Sequence, residues 1–308
     1  MAGVCSQKLN RGGLLNLMTR MHLLLFFVLG FSVLCRGDGL RTSELLEASR
    51  NGMVLVAAHR GGYSNDKADQ APENTLANLA VAIRKGYDVY ETDIQRTSDG
   101  VFVVVHDATL DRETNATGKA KDLTLAELKA LKKRYRDGSI SNESVATLEE
   151  LLNAGKGKIL FKPDLKPGMI DHFDALARLV STLEMTDDVF LRTVFKDTER
   201  IQKYFVNGTP KVEVMIKTRN LLELRHVIET FHPKAVHVEV GKGEAILEAM
   251  SEAIRFAVKN GVLVQTHVYE DPNQIEELAK LGVRMFHTNS PDETLDYLIK
   301  NGWRKESP

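Results

Sequence analysis

The chain has 308 residues, and its 41 basic and 42 acidic side chains leave a formal net charge of −1. This balance gives no indication of the strongly basic character that is typical of nucleic-acid-binding proteins, so we expect no nucleic-acid partner. Hydrophobic residues make up 43% of the chain, which is enough to build a sizeable core. The composition therefore indicates a near-neutral globular protein.

The N-terminal segment has the pattern of a secretory leader. Basic residues precede the apolar run 21–34, which is shorter than the ~20 residues that a membrane-spanning helix needs. We therefore expect residues 1–36 to be a signal peptide and the mature protein to be secreted or periplasmic. The chain has two cysteines, Cys5 and Cys35, and both lie in this leader, so the mature chain cannot hold an internal disulfide.

From residue 50 onward, short apolar runs alternate with amphipathic helical segments. The predicted strands cover residues 53–58, 89–94, 159–165, 189–194, 212–216, 235–240, 262–266 and 285–288, and helices such as 75–85, 124–133, 170–184, 221–230, 244–260 and 273–281 lie between them. Eight such units in about 250 residues favour an α/β fold, a single-domain (β/α)8 TIM barrel over residues 50–302. A doubly wound sheet is the alternative. Pro163 has no N–H for a sheet, so we expect a bulge or an irregular end in the third strand.

The segment 90–107 carries the first chemical signal. Glu91 and Asp93 are two residues apart, so they share one face of the second strand. The turn sequence 98–100 (Ser-Asp-Gly) allows only an antiparallel return, which predicts a β-hairpin after strand 2 and brings His106 back towards the carboxylates. Two carboxylates suit a hard divalent cation. The alternative is an amphipathic strand whose acidic face is solvated.

Polar residues also follow the other early strands. His59 and Arg60 end the first strand, and Asp164 and Lys166 end the third. Active sites of TIM barrels form at the C-terminal ends of the strands, where these residues would meet. The pattern therefore predicts a metal-assisted site.

Several short motifs then resemble one enzyme family. HRG at 59–61, PENT at 72–75, ETD at 91–93, TSDG at 97–100, VVVHD at 103–107 and DLKP at 164–167 are similar to motifs of the glycerophosphodiester phosphodiesterases, and a closing HTNSP begins at His287. The likeness spans most of the chain after the leader. It implies a metal-dependent TIM-barrel enzyme that hydrolyses small glycerophosphodiesters to an alcohol and sn-glycerol 3-phosphate.

The resemblance also implies roles for individual residues. Glu91, Asp93 and Asp164 correspond to the metal ligands, and His59 and His106 correspond to the acid/base pair. The oxygen ligands suit Mg²⁺ and Ca²⁺ equally. Because a bare alkoxide is a poor leaving group, one imidazole would withdraw a proton from the nucleophile and the other would protonate the departing oxygen.

Four further residues are candidates around this centre. Arg60 and Lys166 would hold the substrate phosphate. Glu73 and Asn74 would support the metal or its bound waters. Because these two residues follow Pro72 at the start of a helix, capping of that helix is the alternative interpretation of both.

The sequence departs from the family pattern at two places. Asp164 stands where most members carry Glu, and Gln265 begins a region where the family usually has a Trp-containing strand end. His237, His267 and His287 fall on strands or near their ends, which makes them second-tier candidates for lining the site; an ordinary packing role is the alternative interpretation.

Two rival functions remain at this point. A lyase-type phospholipase D, similar to sphingomyelinase D and lysophospholipase D enzymes, would use the same metal and histidines on a membrane lipid and release a cyclic phosphate. A non-catalytic barrel that binds phosphodiesters is the second rival. The PENT motif favours the hydrolase, and membrane contact is expected only for the lyase. The sequence makes no prediction of oligomeric state.

Overall fold

The computed structural model describes residues 42–64, 66–240, 244–268 and 272–305. The predicted signal peptide, with both cysteines, lies outside these ranges. Within them, no helix combines the length and the apolar character that crossing a membrane requires.

The described part of the chain forms a closed parallel barrel. Its strands are β1 (Leu55–Ala58), β2 (Val89–Arg96), β3 (Phe102–Val104), β4 (Leu160–Leu165), β5 (Phe190–Val194), β6 (Glu213–Thr218), β7 (Ala235–Val238), β8 (Leu263–His267) and β9 (Met285–Thr288). All of them except β3 run parallel, and the barrel closes because β1 pairs with both β2 and β9. The predicted TIM barrel is confirmed, and the doubly wound sheet is wrong.

α-Helices alternate with the strands along the described part of the chain. They are α1 (Thr42–Arg50), α2 (Leu76–Lys85), α3 (Leu125–Lys129), α4 (Leu148–Gly155), α5 (Phe173–Thr182), α6 (Thr198–Val206), α7 (Leu221–Phe231), α8 (Glu244–Lys259), α9 (Pro272–Leu281) and α10 (Pro291–Lys300). The helix predicted at 124–133 is shorter than expected. Beyond α3, the backbone of Lys133 bonds to Glu143 and Ser141, so long-range pairing ends the helix early.

The predicted hairpin after the second barrel strand is present. Strands β2 and β3 pair antiparallel, and Gly100 in their turn has φ 89°, a backbone region that glycine occupies without strain. The return path continues past β3, where the Val105 N–H donates to the Asp93 carbonyl at 3.1 Å. This contact brings His106, the residue after Val105, close to Asp93 of β2.

The N-terminal ends of the barrel strands are covered by residues from near both ends of the described chain. Leu45 of α1 is buried with Leu55 and Met285 in the core at this end of the barrel. The sequence did not predict this helix. The guanidinium of Arg304 makes two hydrogen bonds to the buried carboxylate of Asp88. These contacts fasten the two chain ends to the strands.

Pro163 interrupts the ladder between β4 and β5 without a bulge. The pairs Phe161–Val189 and Asp164–Arg192 have the same register on either side of the proline. The expected bulge is therefore wrong. Because proline has no N–H, the ladder with β5 has a gap at Pro163, whereas the β2–β4 register continues through this residue.

Candidate active site

A cleft of about 240 Å³ lies at the C-terminal ends of the barrel strands. Its lining includes the predicted metal, acid/base and phosphate-binding residues His59, Arg60, Glu91, Asp93, His106, Asp164 and Lys166. The barrel therefore brings together residues that lie more than one hundred positions apart in the sequence.

Three carboxylates form the floor of the cleft. Glu91 and Asp93 lie on one face of β2, and Asp164 of β4 pairs directly with Asp93. One ligand oxygen from each lies within 4.8 Å of the others. All three side chains are buried, and a set made only of carboxylate oxygens fits a hard divalent cation.

The two carboxylates of β2 differ in their pKa values. Burial alone would raise the pKa of Glu91, but His59, Lys162 and the backbone N–H of Arg60 hold that pKa below its usual value. Burial, followed by the negative charge of Glu91, raises the pKa of Asp93. Two buried acids that repel each other in this way are stabilised by a bound cation, so the donor set fits a divalent ion.

Basic side chains already balance part of this negative charge. Lys166 Nζ lies 2.7 Å from Asp93 Oδ1 and 3.3 Å from Asp164 Oδ2. Burial lowers the pKa of Lys166, but the two carboxylates outweigh burial and raise it overall. Arg192 of β5 donates to Asp164 Oδ1. Arg192 was not among the residues predicted from the sequence, although a charged residue inside a short, largely apolar strand is a signal for such a role.

Asn74 holds one of the carboxylates in place. Its Nδ2 donates to Asp93 Oδ2 at 3.1 Å, and its Oδ1 accepts the hydroxyl of Thr92 at 2.8 Å. The residue that caps α2 is Thr75, whose Oγ1 accepts the Asn78 N–H. The capping alternative for Asn74 is therefore wrong, and its amide orients the carboxylate.

Glu73 contacts Arg60, one of the residues that line the cleft. It accepts hydrogen bonds from Arg60 at 3.2 Å and from Arg112 at 2.6 Å. Burial alone would raise its pKa, but the two arginines, Arg112 first, hold it below its usual value. Glu73 is thus an anion that positions two cations and, like Asn74, does not cap the helix.

The ring of His59 is oriented by a residue from the far end of the chain. Its Nδ1 lies 2.5 Å from the amide oxygen of Asn289. Because an amide oxygen only accepts, Nδ1 carries the proton and, in the neutral ring, Nε2 has a free lone pair. That Nε2 lies 3.9 Å from Glu91 Oε2. Asn289 was not among the predicted site residues, although it belongs to the HTNSP motif.

The ring of His106 has the same tautomer for a different reason. Its Nε2 lies 2.7 Å from Nη2 of Arg60, and a guanidinium only donates, so Nε2 accepts. The proton is therefore on Nδ1, which donates to Asp107 Oδ1 at 2.6 Å. Asp107 is held in turn by Nε of Arg112 at 2.6 Å, so the orientation of the ring is fixed.

Arg60 has an unusual backbone conformation for its residue type. Its φ of 52° lies in the left-handed region, which costs free energy in a residue other than glycine. This conformation directs the backbone N–H to Glu91 Oε2 at 2.8 Å and the side chain to His106. The Nε–H of Arg60 is buried without a hydrogen-bond partner among the described residues.

The three second-tier candidates, His237, His267 and His287, also line the cleft. Burial is the main cause that lowers the pKa of each, to about 4 for His267 and well below the usual value for His237 and His287. Beside them, Gln265 accepts a hydrogen bond from the buried Lys162 at 3.0 Å. Burial lowers the pKa of Lys162 to about 8.

The whole barrel and its sequence resemble known phosphodiesterases. The sequence profile of the glycerophosphoryl diester phosphodiesterase family matches residues 59–293. A glycerophosphodiester phosphodiesterase of Caldanaerobacter subterraneus subsp. tengcongensis is 29% identical over 251 residues, covering 81% of this chain and 99% of that protein. Among solved structures, a glycerophosphoryl diester phosphodiesterase from Parabacteroides distasonis has a TM-score of 0.72 at 20% identity, covering 86% of this chain and 93% of that one. A glycerophosphodiester phosphodiesterase from Agrobacterium tumefaciens has a TM-score of 0.61 at 26% identity, covering 78% and 98%. The chain belongs to the glycerophosphoryl diester phosphodiesterase family.

Proposed function

We propose that the protein is a divalent-cation-dependent hydrolase that cleaves glycerophosphodiesters to an alcohol and sn-glycerol 3-phosphate. One observation carries the proposal within this family. Two histidines, each with a lone pair on Nε2, line the same cleft as three buried carboxylates.

Glu91, Asp93 and Asp164 would hold the cation. Their oxygens suit Mg²⁺ or Ca²⁺. When bound, the cation would polarise the phosphoryl oxygens and neutralise the charge that develops on them.

His59 and His106 would transfer the protons. One Nε2 would accept a proton from the attacking hydroxyl of the substrate's glycerol, and the other ring, protonated beforehand, would donate to the departing alkoxide, which leaves as the alcohol. Water would then open the resulting cyclic phosphate to sn-glycerol 3-phosphate. Asn289 and Asp107 keep the two rings in the required orientation. The chain itself therefore supplies both the acid and the base.

Arg60 and Lys166 would bind the phosphate. The buried Nε–H of Arg60 lies 3.8 Å from Asp93 Oδ2 but has no hydrogen-bond partner among the described residues, and a phosphate oxygen would supply one. The same guanidinium contacts Nε2 of His106. A phosphate that draws the guanidinium towards itself would therefore also free this nitrogen for proton transfer. Substrate binding and activation of His106 would then be coupled.

The test is product analysis on defined substrates. The full chain is incubated with glycerophosphocholine, sphingomyelin or lysophosphatidylcholine, and ³¹P NMR identifies the phosphorus product. We expect sn-glycerol 3-phosphate from glycerophosphocholine, loss of turnover after chelation, and recovery with Mg²⁺ or Ca²⁺. Glu91→Gln should remove the activity, whereas Glu199→Gln, on α6 outside the cleft, should retain it.

Two results would overturn the proposal. Full activity after exhaustive chelation would exclude the cation. A cyclic phosphate released from a membrane lipid, with no turnover of glycerophosphocholine, would make the protein a lyase.

A further inference from the structure

His287 is a buried polar group without a hydrogen bond. Its side chain is 9% exposed in the wall of the cleft, and neither ring nitrogen has a hydrogen-bond partner among the described residues. Buried polar groups are rarely left in this state, because an unmade hydrogen bond costs free energy. The ring nitrogens of His287 therefore indicate that a ligand binds at this point.

A second imidazole and a carboxylate complete the surroundings. The Nε2 atoms of His287 and His59 lie 3.5 Å and 3.9 Å from the same oxygen, Glu91 Oε2. The two rings are nearly perpendicular, with centroids 4.8 Å apart. Ligand atoms bound at about 2.0–2.1 Å from a tetrahedral zinc ion lie about 3.3 Å from one another. The three ligand atoms lie within 4.8 Å of one another, so side-chain shifts would be needed to bring them to ligand spacing.

The tautomer of His59 fits the same interpretation. Its Nδ1–H donates to Asn289, so the nitrogen that faces Glu91 has the lone pair. Histidines that bind metals usually donate the other ring N–H to an oxygen in this way. The orientation that suits Nε2 for proton transfer therefore also makes it a ready metal ligand.

We propose that His59, His287 and Glu91 form a second cation site, which shares Glu91 with the carboxylate cluster, binds a borderline-soft ion such as Zn²⁺ and thereby inhibits the enzyme. Imidazole nitrogens favour this class of ion, whereas the carboxylate cluster favours hard ions. A cation bound to Nε2 of His59 occupies the lone pair that accepts or carries the transferred proton. The inhibitory part rests on the proposed function, and the binding part does not.

The binding part is tested with Co²⁺, whose visible absorption reports imidazole ligation. The full chain is first saturated with Mg²⁺ and then titrated. We expect one equivalent of Co²⁺ to bind in the wild-type protein and to compete with Zn²⁺. His287→Gln should lose the absorption band, whereas His226→Gln, which replaces a helix residue that packs on Phe195 outside the cleft, should keep it.

A measurement on the unmodified chain guards against a variant that fails to fold. Histidine labelled with ¹⁵N should show two rings whose Nε2 resonances shift when Zn²⁺ is added in excess Mg²⁺. Absence of both the cobalt band and these shifts in the folded wild-type protein would overturn the site.

The inhibitory part is tested by turnover of glycerophosphocholine in excess Mg²⁺. Zn²⁺ should lower the wild-type rate by roughly tenfold or more, since loss of a general acid or base has at least that effect. The rate of His287→Gln, relative to its own rate without zinc, should change much less. Cobalt binding without inhibition would overturn the inhibitory role. An absence of turnover with Mg²⁺ alone, beside intact cobalt binding, would contradict the proposed function and leave the site standing.

Discussion

Lys133 Nζ lies 2.7 Å from Glu113 Oε2, and both side chains are completely buried. The other oxygen of Glu113 accepts the backbone N–H groups of His106 and Asp107, at 2.9 Å and 2.7 Å. Strand β3 ends before these residues, so the sheet does not hold them. One buried carboxylate, neutralised by one lysine, therefore fixes the backbone that carries a proposed catalytic histidine.

Removing this charge should destabilise the protein. Glu113→Gln leaves the buried charge of Lys133 without its counter-ion, and we expect the free energy of unfolding to fall by about 3–5 kcal/mol. The double variant with Lys133→Met removes both charges and should lose less than Glu113→Gln alone. Urea unfolding measures all three proteins.

The matched control for this charge removal is Glu276→Gln. It breaks an exposed i,i+4 pair with Lys280 on α9 and should change stability little. If Glu113→Gln unfolds at the same urea concentration as the wild type, the buried pair has no structural importance.

His59 and His106 should both be needed for chemistry more than for binding. Replacing either with Ala should lower kcat by roughly a hundredfold or more, the usual effect of losing a general acid or base. The pH dependence of kcat/KM should be bell-shaped, because one ring acts unprotonated and the other protonated. Steady-state kinetics on glycerophosphocholine measures these effects.

Thermal unfolding of each histidine variant must accompany the rates, and His226→Ala is the control outside the cleft. If His106→Ala keeps a near-normal kcat while His59→Ala does not, the two-histidine mechanism is wrong.

Mild acid should weaken the fold through a buried histidine. Burial, followed by the positive charges of His59 and Lys162, lowers the pKa of His267 to about 4, against about 6.5 in an unfolded chain. The unfolded state therefore takes up the proton first, so the free energy of unfolding falls as the pH drops from about 6.5 to about 4. Below that range the contribution of His267 levels off.

Urea midpoints of the chelated protein, taken across this pH range, measure the effect. His267→Gln should show a smaller decline than the wild type, because one of the residues that titrate is gone. His226→Gln should decline as the wild type does. Equal declines for His267→Gln and the wild type would contradict the prediction.

We also propose that the N-terminal segment is removed during export. The basic start and the short apolar run 21–34 motivate this prediction. Mass spectrometry of protein recovered from the medium or the periplasm of an exporting host should show a mature N-terminus close to residue 37. Protein that still begins at Met1 would contradict it.

The sequence was sufficient to predict the barrel, the hairpin and the residues at the strand ends, because these follow from hydrophobic period and turn chemistry. Contacts between distant residues were not predictable. Asn289 orients a histidine 230 positions earlier, and Arg192 meets a carboxylate 28 positions earlier. Local sequence cannot reveal such pairs, since strand register and barrel closure decide them.

Local signals also gave the wrong explanation where long-range contacts dominate. Glu73 and Asn74 follow a proline at a helix start, which favours capping. In the structure the cap is Thr75, and Asn74 turns towards Asp93. Its φ of 57° differs from the extended conformation usual at a cap.

The pairing of β1 with β9, together with the contact between Arg304 and Asp88, joins the start of the barrel to its end. During translation, β1 leaves the ribosome before the other barrel strands, but its neighbour β9 follows only after all of them. A nascent chain that already contains the three carboxylates therefore still has an unpaired strand edge, the kind of surface that recruits chaperones or aggregates. The barrel can close only after β9 has been synthesised.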